Sequence, residues 1–225
     1  MKKHYSVAID GPVGAGKSTI ARQVAKELGF YYVDTGAIYR TVGYHMTLMG
    51  IGPRDVDGIT RLIDDVNLKI TYDEAGLQHM LLNGMDVTDE IRTPEASMVA
   101  SKIAAQAVVR DYLLELQRAL AEEHSVVMDG RDIGTVVLPH ADVKIFLTAA
   151  PEVRAKRRYD ELKAKGKEVP FEKVLSDLMA RDEQDMNRPI APLKCAKDAI
   201  RLDTSALDFD GSVKAVRKII EEKIQ

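Results

Sequence analysis

The segment with the clearest chemical capacity lies near the N-terminus and reads Gly11-Pro12-Val13-Gly14-Ala15-Gly16-Lys17-Ser18, followed by Thr19. It matches the pattern G-x-x-x-x-G-K-[ST], in which glycines let backbone N–H groups turn inward around a phosphate. The positive end of a following helix strengthens that attraction. In this pattern Lys17 reaches the outer phosphates of a nucleotide, and the Ser18 hydroxyl can ligate Mg²⁺.

A glycine-rich turn that happens to end in Lys-Ser is the alternative interpretation, and the flanking sequence decides between the two. The apolar run at residues 5–9 predicts a strand before the loop. Residues 17–28 repeat apolar side chains at the helical period and end at Gly29, a helix stop. Because strand, loop and helix occur in this order, we predict that residues 11–19 bind ATP with Mg²⁺.

A phosphate loop alone does not define the reaction. A GTPase switch should also carry an N-K-x-D segment, and the chain has none. The best candidate for the acidic strand of a motor ATPase is 126–129, but Gly130 and Arg131 follow it rather than a second acid. Arginines elsewhere in the chain form clusters, which suits a complex with two anionic substrates.

Two of these clusters each occupy one face of a predicted helix. The first has the spacing i, i+3 and i+4, and consists of Arg154, Arg157 and Arg158. The second has the spacing i, i+4 and i+7, and consists of Arg181, Asp185 and Arg188. The simpler interpretations are a solvated basic face and an intrahelical ion pair, the latter worth only about 0.2–0.5 kcal/mol.

Three charged side chains follow predicted strands, where α/β sheets bind ligands. Arg131 comes just past the strand at 125–129, and Arg40 follows a turn after the strand at 31–34. We predict phosphate contacts for both arginines, against the alternative of surface side chains. Asp129 ends its strand directly. Two roles stay open for it: orienting water on Mg²⁺, or capping the next turn.

The elements that must position these residues alternate between short apolar strands and amphipathic helices. Buried strands are predicted at 5–9, 31–34, 125–129, 143–148 and 200–203. This alternation is typical of an α/β fold with a parallel sheet. Residues 61–104 break the pattern, with short strands around Asn83-Gly84, a hairpin signal. We therefore predict one domain with its core at 1–60 and 105–225, an inserted subdomain at 61–104 and a basic helical segment at 152–169.

The composition limits the class of protein. The 225 residues include 45% hydrophobic side chains, enough for a core, and the net charge of −3 argues against nonspecific nucleic-acid binding. Cys195 is the single cysteine, which excludes an intrachain disulfide and fits a reducing compartment. No apolar run reaches the roughly 20 residues of a membrane span. The first apolar run ends at Asp10, too early for a signal peptide. We expect a cytoplasmic protein without membrane or nucleic-acid partners.

Three further segments complete a recognisable set with the phosphate loop. They are 34–40 (DTGAIYR), 129–135 (DGRDIGT) and 181–189 (RDEQDMNRP). The combination resembles bacterial cytidylate kinases, members of the nucleoside monophosphate kinase family of P-loop NTPases, from about residue 4 to the C-terminus. Thr35 is a departure, because serine is expected there in many relatives. The hydroxyl is retained, and its extra methyl group could tighten the binding site.

The resemblance implies a five-stranded parallel core, an acceptor-binding insert and a mobile lid formed by the basic segment. It also implies phosphoryl transfer from ATP to CMP, with dCMP as a second acceptor, by a protein that we expect to be monomeric. Closing the lid would bring positive charge to the transferring phosphoryl group. The residues proposed for catalysis are Lys17, Arg131, Arg154, Arg157 and Arg158.

The acceptor side chains are assigned by the same resemblance. The ribose would contact Ser101, Arg181 and Asp185, and the base would contact Asp132 with Arg110 and Arg188. Thr35, Arg40 and Arg131 complete the predicted acceptor site. Two alternatives stay open: a kinase for another small molecule, such as adenylate, shikimate or dephospho-CoA, or a switch that hydrolyses ATP slowly.

Overall fold

The computed structural model describes residues 4–224, and its centre is a parallel five-stranded sheet. The strands are β1 (Ser6–Asp10), β2 (Tyr31–Asp34), β6 (Val126–Gly130), β7 (Val143–Thr148) and β8 (Ile200–Asp203). They lie in the order β2-β6-β1-β7-β8. The predicted α/β fold with a five-stranded parallel sheet is confirmed. The only differences are one-residue shifts of β1 and β6 towards the C-terminus.

Helices cover both faces of this sheet. The four in the first half of the chain are α1 (Lys17–Leu28), α2 (Thr35–Leu48), α3 (Val56–Leu62) and α4 (Pro94–Ile103). The four in the second half are α5 (Ala107–Glu123), α6 (Pro151–Ala164), α7 (Phe171–Asn187) and α8 (Phe209–Ile224). A short 3₁₀ turn spans Ile63–Asp65, and a short π-helical turn spans Ile133–Val137. Within residues 4–224, no helix combines the length and apolarity needed to cross a bilayer.

The sheet has a separate apolar core on each face, because successive side chains of a strand point to opposite sides. Val7 and Ile9 of β1 join the core formed with α1 and α8. Ala8 of the same strand joins the larger core formed with α2, α5 and the insert. Every strand side chain from Val7 to Ile9 is fully buried, as a central parallel strand requires. These two cores hold the carboxyl ends of β1 and β6 side by side.

The segment predicted as an insert contains an antiparallel three-stranded sheet in the order β3-β4-β5. These strands are β3 (Leu68–Tyr72), β4 (Gln78–Leu82) and β5 (Met85–Asp86). Asn83 and Gly84 both have positive φ, 51° and 86°, as a tight two-residue hairpin turn needs. Gln78 joins this sheet to the core by accepting the Asp34 N–H at 2.7 Å through its side-chain oxygen. The acceptor-binding role of 61–104 stays a prediction.

Candidate active site

The phosphate loop connects β1 to α1 and depends on glycine where the chain turns most sharply. Gly11 has a φ of 151°, and a Cβ atom there would lie 1.9 Å from the backbone oxygen of Leu147. Gly16 is left-handed, with a φ of 86°, and precedes the first residue of α1. Any side chain at Gly11 would push the loop off β7, so the close approach of two strand ends explains this glycine. The loop runs directly into the N-terminus of α1, where the first helical N–H groups favour a phosphate.

Lys17 occupies the first position of α1 and is buried against its own loop. Its Nζ donates to the Pro12 carbonyl at 2.8 Å. Burial, together with the positive charge of nearby Arg131, lowers the pKa of Lys17 to about 7, although Asp129 and Asp10 oppose the shift. A phosphate oxygen would raise this pKa again, since it is a stronger acceptor for an ammonium group than a peptide carbonyl is.

Asp129 lies at the end of β6 and joins two hydroxyl groups from neighbouring elements. Its carboxylate accepts from the Ser18 hydroxyl and from the Tyr32 hydroxyl, each at 2.8 Å. Burial raises the pKa of Asp129, and Asp34 adds to that shift. Of the two roles left open by the sequence, the carboxylate contacts favour the first, because they join Asp129 to Ser18, the residue predicted to ligate Mg²⁺, rather than to the next turn.

The oxygen donors of Ser18 and Asp129 fit Mg²⁺, which takes one or two protein ligands together with water and substrate phosphates. Ser18 would bind the ion directly, and Asp129 would act through a water molecule. Among the residues that the structure describes, no group of three or more His, Cys, Asp or Glu side chains forms a metal site. The two oxygen donors fit an ion whose remaining ligands would be water and substrate phosphates.

A second constellation lies just past β6, where Asp132 is held between two arginines. Its Oδ1 accepts from Arg188 Nη2 at 2.9 Å, and its Oδ2 accepts from Arg110 Nη2. All three side chains are at least nine-tenths buried. Arg110 also donates to the Ala104 carbonyl at 3.2 Å, and its guanidinium lies 5.7 Å from the Tyr39 ring centre. The structure brings together the three charged residues that were predicted to contact the base, and that role stays a prediction.

Asp185 pairs across the site rather than along its own helix. Its carboxylate accepts from Arg131 Nε at 2.7 Å, so α7 is tied to the loop that follows β6. The alternative of an intrahelical pair with Arg181 is not what forms. Arg181 is half-buried beside these charges, and desolvation, followed by the charge of Arg131, lowers its pKa. Arg131 and Arg181 therefore bring two positive charges together beside Asp185.

The segment after β2 holds two more predicted acceptor residues. The Thr35 hydroxyl donates to the Asp129 carbonyl at 2.7 Å, so it joins the ends of β2 and β6. Arg40 donates to Asp34 at 2.9 Å, while the other oxygen of Asp34 caps α2. Arg40 Nε is buried without a partner among the described residues. Ser101 lies half-buried on α4, and no described hydrogen bond joins it to this group.

The arginines of α6 differ from the expectation that they share one surface. Arg154 is buried and donates to Asp182 at 2.6 Å and to the Val13 carbonyl at 2.9 Å. Arg157 lies beside the phosphate loop and donates to the Thr204 carbonyl at 2.8 Å. Arg158 is exposed and pairs with Glu161. Helical spacing cannot anticipate this separation, because Asp182 comes from another helix and draws only Arg154 inward.

Two buried carboxylates of this region were not identified from the sequence. Asp182 accepts the Val13 N–H at 3.1 Å as well as Arg154, so it joins α6, α7 and the phosphate loop. Asp10 ends β1 and accepts two N–H groups beyond Asp132. Their positions in the sequence could have identified them, because Asp10 precedes the first glycine of the loop and Asp182 follows Arg181. An acid that ends a buried strand needs hydrogen-bond donors.

The chain is similar over nearly its whole length to proteins of one family. The cytidylate kinase family model matches residues 7–222. A cytidylate kinase of Carboxydothermus hydrogenoformans is 50% identical over 217 residues, which cover 96% of this chain and 97% of that protein. A cytidylate kinase of Fervidobacterium nodosum is 47% identical over 220 residues, which cover 98% of each chain.

A solved structure supports the fold alone. An uncharacterized protein from Eubacterium ventriosum superposes with a TM-score of 0.54 at 13% identity, and the match covers 97% of this chain and 99% of that one. The extent and identity of the sequence matches carry the stronger conclusion. This chain belongs to the cytidylate kinase family.

Proposed function

We propose that this protein transfers the terminal phosphoryl group of ATP to CMP, giving ADP and CDP, with dCMP as a second acceptor. The observation that carries the proposal is Asp132, held between Arg110 and Arg188 beside the phosphate loop. Cytosine presents an amino donor at N4 next to acceptors at N3 and O2. A carboxylate flanked by two guanidinium groups has the complementary pattern.

The site needs no general base for this reaction. The second pKa of a phosphate monoester is near 6, so the acceptor is already mostly an oxyanion at pH 7. The task of the protein is to align two polyanions and to neutralise charge in the transition state. Arg40 and Arg131 are proposed to hold the acceptor phosphate. Arg181, Asp185 and Ser101 are proposed for the ribose.

The donor phosphates would lie over residues 11–19, with Lys17 on the outer phosphates. Mg²⁺ at Ser18 would neutralise phosphate charge and orient the terminal group. Arg157 and Arg158 are proposed to approach the transferring group when the segment 152–169 closes over the donor. Arg154 would act differently, since its buried pair with Asp182 holds the phosphate loop against α6 and α7.

The test is ADP formation measured with each candidate acceptor in turn: CMP, dCMP, UMP, AMP, shikimate and dephospho-CoA. The proposal expects turnover with CMP and dCMP to exceed turnover with every other acceptor. A higher rate with shikimate or AMP would assign the protein to another kinase reaction. ATP hydrolysis that is the same with and without acceptor would support a nucleotide switch instead.

A further inference from the structure

Asp10 binds the backbone of a segment far away in the sequence. Its Oδ1 accepts the Ile133 N–H at 2.8 Å, and its Oδ2 accepts the Gly134 N–H at 2.7 Å. These are the first two N–H groups of the short helical turn Ile133–Val137. The first N–H groups of a helical turn have no partner within it, so they need an acceptor from outside. Asp10 supplies that acceptor from the end of the adjacent strand.

The residue that usually performs this capping is the one just before the turn, here Asp132. Its backbone oxygen accepts from the Val136 N–H at 2.9 Å and from the Val137 N–H at 3.2 Å, so the turn begins at Asp132. An aspartate in this position commonly caps the turn with its side chain as well. Asp132 makes no such side-chain bond, because both of its oxygens face Arg110 and Arg188. Capping the turn and binding the arginines are therefore competing uses of one carboxylate.

We propose that Asp10 is a positioning residue for the acceptor base: it caps the turn and so leaves the Asp132 carboxylate with Arg110 and Arg188 at the proposed base site. This inference rests on the proposed reading of cytosine by Asp132. In the absence of the Asp10 carboxylate, the Gly134 N–H would be a buried donor without an acceptor, which is unfavourable. The Asp132 carboxylate, directly before the turn, is the group placed to replace it.

The packing around Gly134 leaves the turn little room to move away. A Cβ atom at this glycine would lie 3.2 Å from the Lys144 side chain and 3.4 Å from the Asp10 carboxylate. The register of the sheet fixes the other end, since Asp10 lies opposite Gly130 in the parallel pair of β1 and β6. Rotation of the Asp132 side chain is therefore an easier response to the loss of Asp10 than displacement of the backbone.

The burial of the Asp10 carboxylate fits a functional role for this residue. Burial raises its pKa to about 6, the Gly134 and Ile133 N–H groups oppose that shift, and Asp132 adds to it. Its negative charge is therefore present at neutral pH at some cost to stability. Buried charges that are kept in spite of such a cost are often found at functional sites.

The experiment compares kcat/KM for CMP and UMP in the native protein, Asp10→Asn, Asp132→Ala and the double variant. Asparagine keeps the size of the side chain but offers one acceptor oxygen, and its NH₂ group opposes the second N–H. We expect Asp10→Asn to lower the CMP:UMP ratio by about tenfold. In the double variant the ratio should equal that of Asp132→Ala within about twofold, because both changes act on one carboxylate.

Asp55→Asn is the matched control, since Asp55 caps α3 through the Gly58 N–H at 2.9 Å and is exposed. It should leave the ratio unchanged. The affinity of Asp10→Asn for ATP with Mg²⁺, measured by calorimetry, should stay within a few-fold of native. A crystal structure of Asp10→Asn should show the Asp132 carboxylate turned toward the Gly134 N–H.

The outcomes separate the two proposals. If Asp132→Ala keeps the native ratio, base reading by Asp132 is wrong, and the role of Asp10 is wrong with it. If Asp132→Ala lowers the ratio but Asp10→Asn does not, only the role of Asp10 is overturned. If neither Asp10→Asn nor Asp10→Ala binds ATP, then Asp10 supports the whole sheet edge rather than the base site, and the proposal is also overturned.

Discussion

Individual charged residues in this site have partners that define what each can do. Asp132 has two arginines and no other described side-chain partner, whereas Asp129 has two hydroxyl groups. In the first arrangement a carboxylate lies between two guanidinium groups, which suits a nucleobase that carries both a hydrogen-bond donor and hydrogen-bond acceptors. The second places a carboxylate against the hydroxyl proposed for Mg²⁺. Substitutions at these positions should therefore have different kinetic signatures.

Asp132→Ala should weaken CMP use and reduce the preference for CMP over UMP. Uracil carries a carbonyl where cytosine carries its amino group, so the native carboxylate would face another acceptor. A buried mismatch of this kind costs a few kcal/mol, or about a hundred-fold in kcat/KM. The measurement is kcat/KM for both nucleotides in both proteins. An unchanged CMP:UMP ratio would contradict the assignment.

Lys17→Ala should reduce kcat by at least about a hundred-fold while the fold stays intact. One oriented cation at a developing charge is commonly worth several kcal/mol. Lys17 is also a buried ammonium group with a pKa lowered to about 7, so its removal carries little cost to stability. Thermal unfolding should show a melting temperature no lower than native. Turnover within a few-fold of native would be inconsistent with a catalytic role.

At the scale of elements, α6 and α7 meet the phosphate loop through one buried ion pair. Arg154 and Asp182 both contact Val13, through its carbonyl and its N–H respectively. Gly14 packs closely on the same two helices, since a Cβ atom there would lie 3.2 Å from Leu178 and 3.3 Å from the Arg154 side chain. Asp185, one turn further along α7, holds Arg131. One helix therefore contacts both the donor loop and the acceptor side.

Arg154→Gln and Arg158→Gln should consequently differ in stability although they lie one helical turn apart. Arg154→Gln leaves Asp182 buried and unpaired, and breaking such a pair commonly costs 3–5 kcal/mol. Arg158 is exposed and pairs only with Glu161, so its replacement should change stability little. Urea unfolding of the two variants is the measurement. Equal losses of stability would contradict a buried Arg154 and an exposed Arg158.

Substitution of two α6 arginines also tests the proposed lid kinetically. Arg158→Gln and Arg157→Gln should lower kcat, while CMP affinity changes little, if the segment 152–169 brings these side chains to the transferring phosphoryl group. Normal kcat in the double variant Arg157→Gln/Arg158→Gln would show that neither side chain reaches the transferring group. Lys173→Gln serves as a control, because Lys173 forms an exposed pair on α7 with Asp177.

For the whole molecule, burial of acids at the strand ends makes stability depend on pH. The pKa of Asp10 is raised from 3.8 to about 6 in the folded protein. The stability that protonated Asp10 contributes is therefore fully present below pH 4, and it is lost as the pH rises through 6. From the size of this shift, the contribution changes by at most about 3 kcal/mol.

The test compares native protein with Asp10→Asn, because other acids titrate in the same range. The difference in unfolding free energy, native minus variant, should fall between pH 4 and pH 7. Lys17 and Asp132 act electrostatically on Asp10, Lys144 packs against the turn that Asp10 caps, and all three residues are present in both proteins. A flat difference across this range would show that Asp10 has an ordinary pKa.

Local patterns determined much of this protein. The phosphate loop, the helix that follows it and the strand before it are encoded within residues 5–28, because glycine placement and side-chain periodicity act over a few residues. The five strands were predictable since buried parallel strands have apolar runs. The hairpin at Asn83-Gly84 was predictable because both of its residues tolerate positive φ. Membership of the set Asp132, Arg110 and Arg188 came from resemblance, not from spacing.

Tertiary structure alone decided which partner each charged side chain takes. Helical spacing put Arg154 with Arg158, but Asp182 on α7 draws Arg154 into a buried pair. Sequence proximity would make Asp132 the cap of its own turn, but Asp10 performs that capping from 122 positions earlier in the chain. The physical reason is that a buried charge takes whichever partner the packed sheet brings within hydrogen-bond distance. That partner can be remote in sequence, and local patterns carry no information about it.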